Sequence, residues 1–179
     1  HLQELPTRCY GTYGMTETVS HIALREINGE RKSSAYFALG KVSFSTDERG
    51  CLIINTPHLQ QQRFITNDIV RLVDTTHFEW LGRHDNVINS GGVKLFPESI
   101  EARIASFLSQ RFFITAEDDC RLGQKAVLVI ESLPWDEAEC QQLLSRLKSC
   151  LSPYEVPKNI YFQEHLTETY SGKIVRKIK

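Results

Sequence analysis

The chain has 179 residues, a formal net charge of −1, 41% hydrophobic residues and 24% charged residues. This is an ordinary globular composition. Its near-neutral balance offers no electrostatic footprint for nucleic acid or an acidic membrane surface, and no apolar run approaches the roughly 18 residues of a transmembrane helix. Cys9, Cys51, Cys120, Cys140 and Cys150 are odd in number and contain no Cys-x-x-Cys pair, and the six histidines include no pair four residues apart. Neither a disulfide framework nor a zinc site is expected, and a reducing cytoplasm suits the pattern. The opening His1-Leu2-Gln3 has no initiator Met and reads as the start of a piece of a longer chain.

In chain order, the first half reads as strands and turns. Val42-Ser43-Phe44-Ser45 and Cys51-Leu52-Ile53-Ile54 predict two short strands joined by the turn Asp47-Glu48-Arg49-Gly50. Ile69 to Val73 and His77 to Leu81 predict a hairpin across Asp74-Thr75-Thr76, and Gly82 closes the β block. Val87-Ile88 and Val93-Lys94-Leu95 then flank the tight glycine turn Ser90-Gly91-Gly92. Pro97 is placed to open a helix, where its missing N–H costs nothing. Ile100, Ile104, Phe107 and Leu108 fall on one face of that helix. Strands are expected at Phe112 to Thr115 and Ala126 to Ile130. A second helix starts at Asp136 with Glu139 as its capping partner. Cys140, Leu143, Leu144, Leu147 and Leu151 form its apolar stripe, and Pro153 stops it. Asn159 to Phe162 is the last strand before a basic tail. The expected fold class is α+β: a mainly-β segment over residues 1–83, then a small α+β domain over 84–179 with its own core.

Four segments could carry chemistry. Tyr13-Gly14-Met15-Thr16-Glu17-Thr18 places an aromatic ring, a glycine, two hydroxyls and a carboxylate within six residues. Such a loop can stack a base, hydrogen-bond a phosphate and hold magnesium through oxygen, or be a plain polar turn. Asp68, set just before a predicted strand, can accept both hydrogens of a ribose diol, or be a solvated turn residue. Arg83 and Asp85 precede Gly91 and Gly92, whose lack of Cβ lets backbone approach a ligand, or simply makes a hairpin. Lys173, in Ser171-Gly172-Lys173-Ile174-Val175-Arg176, is a mobile point charge that can be brought to an active site, or part of a frayed basic end. It is not a phosphate loop, because the Gly-x-x-x-x-Gly-Lys-Ser/Thr spacing is absent.

Taken together and in this order, these signals resemble the adenylate-forming (acyl-CoA synthetase, AMP-binding) superfamily of acyl-CoA ligases, firefly-type luciferases and peptide-synthetase adenylation domains. The resemblance runs from about Tyr10 to Lys177. Tyr13 to Thr18, with Ser20-His21-Ile22-Ala23-Leu24-Arg25, looks most like the o-succinylbenzoate–CoA ligases of menaquinone biosynthesis. The resemblance implies an ATP-dependent acid–thiol ligase using ATP (leaving AMP), CoA and Mg. In it Tyr13 would stack on adenine, Gly14 would be among the cofactor-binding residues, Thr16 would contact the α-phosphate, Glu17 would bind magnesium, and Asp68 and Arg83 would hold the ribose hydroxyls. Asp85 would be the hinge, Gly91 and Gly92 would line the pantetheine tunnel, and Lys173 would catalyse adenylation. Ser20 and His21 are candidates for the edge of the acyl pocket. Residues 1–83 would be the end of the large AMP-binding domain and 84–179 the mobile C-terminal domain. The phosphate loop and most of the large domain would then lie upstream of His1, so the chain alone would not complete adenylation.

Two departures from the family pattern stand out. Thr66-Asn67-Asp68 replaces the usual Thr-Gly-Asp, and Leu166-Thr167-Glu168-Thr169-Tyr170 lacks the usual proline ahead of the terminal Gly-Lys. A peptide-synthetase-like adenylation domain and a non-catalytic nucleotide- or partner-binding module are the alternatives.

Overall fold

The computed structural model describes residues 2 and 5–178. The chain divides into two compact units, His1–His84 and Asp85–Lys179.

The first unit is one sheet of seven strands: β1 (Tyr10–Gly14), β2 (His21–Glu26), β3 (Ala35–Ala38), β4 (Ser43–Thr46), β5 (Cys51–Asn55), β6 (Arg63–Leu72) and β7 (His77–Arg83). Their order across the sheet is β1-β2-β3-β7-β6-β5-β4, with every pairing antiparallel. The β4–β5 hairpin closes through Asp47, whose Oδ1 accepts the backbone N–H groups of Arg49 and Cys51, both at 2.9 Å. Cys51, Leu52, Ile53 and Ile54 are all buried. That explains why β5 reads as a continuous apolar run and not as an alternation. Phe78 sits at the centre of the core, against Phe44 at 4.8 Å, Tyr13 at 5.1 Å and Tyr36 at 5.4 Å between ring centroids.

The sequence reading placed Asp68 ahead of a strand, and the structure corrects this. β6 begins at Arg63, so Thr66-Asn67-Asp68 lies within it. Ile53 pairs with Ile65 and Cys51 with Ile69, so three residues of β6 oppose one of β5. Such a bulge re-aims the side chains at its crest. Gly82 likewise does not end the block, since β7 runs on through Arg83.

In the second unit β8 (Ile88–Ser90) and β9 (Val93–Leu95) form a hairpin closed by Gly91 and Gly92. Both glycines have positive φ, 58° and 83°. A two-residue hairpin turn of this hand demands that at both central positions. Helix α1 (Pro97–Ile104) has Pro97 in its first turn and continues as a 3₁₀ turn over Ala105–Phe107. Strands β10 (Phe112–Asp119) and β11 (Gly123–Glu131) pair in register over eight residues, a longer hairpin than the apolar runs suggest. Helix α2 (Glu137–Lys148) starts on a reciprocal cap: Glu139 N–H donates to Asp136 Oδ1 at 2.8 Å, and Asp136 N–H to Glu139 Oε2 at 3.0 Å. It ends at Lys148 with Ser149 as C-cap, so it stops before Pro153 is reached. Strand β12 (Ile160–Gln163) joins β11 in parallel.

The two faces of β11 explain its sequence. Leu128 and Ile130 face the helices, joining Ile100, Ile104, Leu143 and Leu147 in one cluster. Val129 faces the other way, under Phe113, Leu166, Ile174 and Ile178. Side chains alternate along a strand, and both faces are covered, so all five residues from Ala126 to Ile130 are fully buried. Among the described residues no helix is long and apolar enough to cross a membrane.

Candidate functional site

In the first unit the site is built from a strand end, a tight turn and a bulge. β1 ends at Gly14, opposite His21, where the register shifts. A Cβ at Gly14 would stand 2.6 Å from the Ser20 carbonyl oxygen and 2.8 Å from His21 Cα. No other residue fits without moving backbone. The chain then turns through a 3₁₀ segment, Thr16–Thr18. The buried Thr18 hydroxyl accepts the Met15 N–H at 3.1 Å and lies 2.9 Å from the Met15 and Ser20 carbonyl oxygens, to which it can donate. Val19 follows at φ 65°, ψ −35°, and the Ser20 N–H closes a γ-turn on the Thr18 carbonyl at 2.7 Å. Positive φ is unusual for a β-branched residue. Thr16 and Glu17 are left exposed at the tip of this turn.

Tyr13 is half-buried, and its phenol donates to Asp68 Oδ2 at 2.5 Å. Burial, then the Asp68 carboxylate, push its ionisation far above the usual 10.0. β1 and β6 are not neighbours in the sheet, so this bond spans the unit. Asp68 stands opposite Arg83 in the β6–β7 register, with Arg83 Nη1 3.6 Å from Asp68 Oδ1. The bulge is held from below: the buried Thr66 hydroxyl donates to the Leu52 carbonyl at 2.9 Å and accepts the Asp68 N–H at 3.0 Å. Arg49, from the β4–β5 turn, donates to Asn67 Oδ1 at 3.2 Å and the Thr66 carbonyl at 3.4 Å. Asp68 and Arg83, expected from sequence to face one ligand across a hairpin, are brought together, and Tyr13 joins them. Each oxygen of Asp68 faces its own neighbour, a phenol on one side and a guanidinium on the other. A carboxylate flanked in this way suits a polyhydroxyl ligand.

The remaining candidates lie in the second unit, on three separate segments. Asp85 occupies the 3₁₀ turn His84–Asn86 at the start of the unit. Gly91 is packed closely: a Cβ there would stand 3.1 Å from Leu122 Cδ2 and 3.5 Å from Tyr154 Cε1, whereas Gly92 faces open space. Lys173 is exposed, but its loop is not frayed. Thr169 N–H bonds the Lys173 carbonyl at 2.8 Å, Gly172 N–H the Thr169 carbonyl at 2.9 Å and Val175 N–H the Thr167 carbonyl at 2.8 Å. Lys173 N–H also bonds the Thr169 hydroxyl at 3.1 Å. Lys173 therefore follows a closed turn whose continuation, Ile174 and Ile178, packs onto the sheet.

Sequence reasoning missed Thr66 and Arg49, which shape the Asp68 bulge, and Leu122 and Tyr154, which wall Gly91. The sequence carries a partial signal for Arg49 alone, as part of an Asp-Glu-Arg-Gly turn.

No family model matches the chain. Relatives were found among known proteins. Acyl-coenzyme A synthetase ACSM5, mitochondrial, of Homo sapiens is 31% identical over 63% of this chain and 21% of its own length. The 2-succinylbenzoate–CoA ligase of Lactococcus lactis is 29% identical over 98% of this chain and 42% of its own. The crystal structure of an acyl-CoA synthetase (AMP-forming)/AMP-acid ligase II-like protein from Dyadobacter fermentans is 42% identical and superposes with a TM-score of 0.50 over 98% of this chain and 51% of that one. The chain therefore spans about a fifth to a half of the length of these relatives. The fold and these comparisons agree: the relatives and structural neighbours of this chain are adenylate-forming acyl-CoA ligases, and it matches a part of them.

Proposed function

We propose that this chain works as part of an ATP-dependent acid–thiol ligase whose acid is o-succinylbenzoate, as expected in menaquinone biosynthesis. The observation that carries the reading is the convergence of Tyr13, Asp68 and Arg83 beside the Thr16-Glu17 turn. In the first half-reaction a carboxylate oxygen of the acid attacks the α-phosphorus of ATP. The bond to the bridging oxygen breaks and pyrophosphate leaves. In the second, the CoA thiolate attacks the acyl carbonyl carbon, the carbon–oxygen bond to the phosphoryl group breaks, and AMP leaves.

The roles are those the resemblance implies, and charge and shape support several of them. Asp68 accepts hydrogen bonds from the ribose hydroxyls and Arg83 donates to them, while Tyr13 and Gly14 form the wall against adenine. Thr16 donates to the α-phosphate. Among the described residues no three His, Cys, Asp or Glu side chains cluster as a metal cage. The exposed Glu17 carboxylate nonetheless suits magnesium, which binds through one or two carboxylates plus substrate phosphates. When bound, the ion offsets phosphate charge. Lys173 supplies the remaining cation where an anion must approach a polyanion. Gly91, without a Cβ beside Leu122 and Tyr154, and Gly92 border the path of the pantetheine arm, and Asp85 is the hinge at the start of the second unit. The five free cysteines suit a reducing cytoplasm.

The test is CoA-thioester formation by the full-length protein with ATP, offering o-succinylbenzoate beside aryl and fatty acids. Preferred turnover of o-succinylbenzoate is expected. Preference for another acid would replace the substrate and keep the reaction. Activation of no acid at all would leave a nucleotide-binding module in its place.

A further inference from the structure

Besides its own turn bonds and the packing of Ile174 and Ile178, the segment that carries Lys173 is held by a side chain that the function above does not use. Arg176 reaches from the C-terminal tail to helix α1 and strand β10. Its guanidinium grips Glu101 with both arms: Nη1 bonds Glu101 Oε1, and Nη2 bonds Glu101 Oε2 at 2.9 Å. Nη1 also donates to the Ile114 carbonyl at 2.8 Å, and Glu101 Oε1 accepts the Ile114 N–H at 2.7 Å. Tail, helix and strand thus meet at one fork, a pairing with more geometric specificity than a point charge can give.

A second carboxylate stands beside it. Glu98 Oε1 lies 3.8 Å from Arg176 Nη2 and accepts Asn86 Nδ2 at 2.5 Å. Glu98 Oε2 is buried with no hydrogen-bond partner. One cation therefore serves two carboxylates that are mostly withdrawn from water, with 11% and 19% side-chain exposure. Without the guanidinium, the partners left to those two anions among the described residues would be Asn86 and the Ile114 N–H, so the cluster depends on Arg176. The Glu98–Asn86 bond also extends the cluster to the turn that holds Asp85.

We propose that Arg176 is a positioning residue: its fork to Glu101, shared with Glu98, fixes the 169–173 loop and so holds Lys173 where adenylation needs it. This rests on the reading of Lys173 as the adenylation lysine. Arg176 touches neither substrate nor the reacting atoms. Its effect is to limit where a flexible lysine can be, and a misplacement of about 1 Å in such a group can cost about a hundredfold in rate.

Two readouts test this. In the 179-residue chain, hydrogen exchange of the Lys173 and Val175 amides reports the anchor itself. Arg176→Met is expected to lower their protection at least about tenfold, leaving the β10–β11 amides protected. In the full-length protein, acid-dependent ATP–pyrophosphate exchange and thioester formation from preformed acyl-adenylate separate the two half-reactions. Arg176→Met should slow the first about 10- to 100-fold and leave the second within about twofold. A general loss of structure would slow both. Arg176→Lys, which keeps the charge and loses the fork, should fall between wild type and Arg176→Met, guarding against a variant that fails to fold. Arg103→Met, which removes the Arg103–Glu155 pair elsewhere in the unit, should change neither half-reaction. Unchanged tail protection, or equal loss of both half-reactions, would overturn the proposal. Lys173→Ala, run alongside, judges the functional reading separately. If it leaves adenylation intact, that reading fails, and exchange protection alone decides whether Arg176 is the anchor.

Discussion

The Tyr13 phenol donates a hydrogen bond to Asp68, and the bond has a readable consequence. Burial and the neighbouring carboxylate raise the Tyr13 phenol above 10.0. The stability it contributes is fully present below that ordinary value and is lost as pH rises through the raised one. Tyr13 should therefore ionise only as the fold opens, as followed by ultraviolet absorbance. Tyr13→Phe should remove that late step and cost about 1–3 kcal/mol in urea unfolding. Asp74 shows the opposite sign. Bonds from the Thr76 hydroxyl and N–H and from His77 lower its carboxyl from 3.8 to about 2. Its contribution is present above 3.8 and lost as pH falls through about 2, and a carbon-detected pH titration of the Asp74 carboxyl should place its midpoint there. The resemblance puts Asp68 and Arg83 on one ribose, with a hairpin between them to bring them together. The Tyr13–Asp68 bond was not legible, because it depends on a bulge held by the Thr66 hydroxyl and a carbonyl on another strand.

Where local chemistry decides an element, the sequence reveals it. The Asp136–Glu139 cap starts α2 as its spacing suggests, the glycine pair closes β8–β9, and the Ile100/Ile104 stripe faces the core. Elements made by pairing are harder to see. β1 reads Tyr-Gly-Thr-Tyr-Gly, with two glycines and no buried residue, and exists because β2 pairs along it. The same distinction governs mutational cost. Asp136→Ala removes one cap and should cost about 1 kcal/mol, whereas Leu147→Ala, at a fully buried site, should cost about 2–5 kcal/mol. Urea midpoints of the two variants check the ranking. Val19→Gly should run against the usual penalty of glycine. Val19 is 82% exposed and sits at φ 65°, so relief of about 1 kcal/mol of backbone strain should leave the variant at least as stable as the parent.

On the scale of the whole molecule, the chain divides into two compact units, each holding a different set of the candidate residues. The first gathers groups suited to a ribose, a base and phosphate from strands whose residues are distant in sequence. The second carries a glycine hairpin and a lysine loop on a sheet buried on both faces. The change of pattern after Gly82, where strand alternation gives way to helical stripes, lies close to the boundary between the two units at His84 and Asp85. The placement of Lys173 on an anchored turn was not legible, because a basic terminal sequence looks the same whether it is frayed or pinned. Pinning comes from Glu101, Ile114 and the apolar contacts of Ile174, all contributed by distant segments. The most direct measurement is acid-dependent ATP–pyrophosphate exchange by the full-length protein, wild type against Lys173→Ala. Loss of about a hundred- to a thousandfold in exchange, with thioester formation from preformed adenylate retained, is the result expected of an adenylate-forming ligase. Absence of exchange in the wild type, or equal exchange in the two proteins, would contradict it.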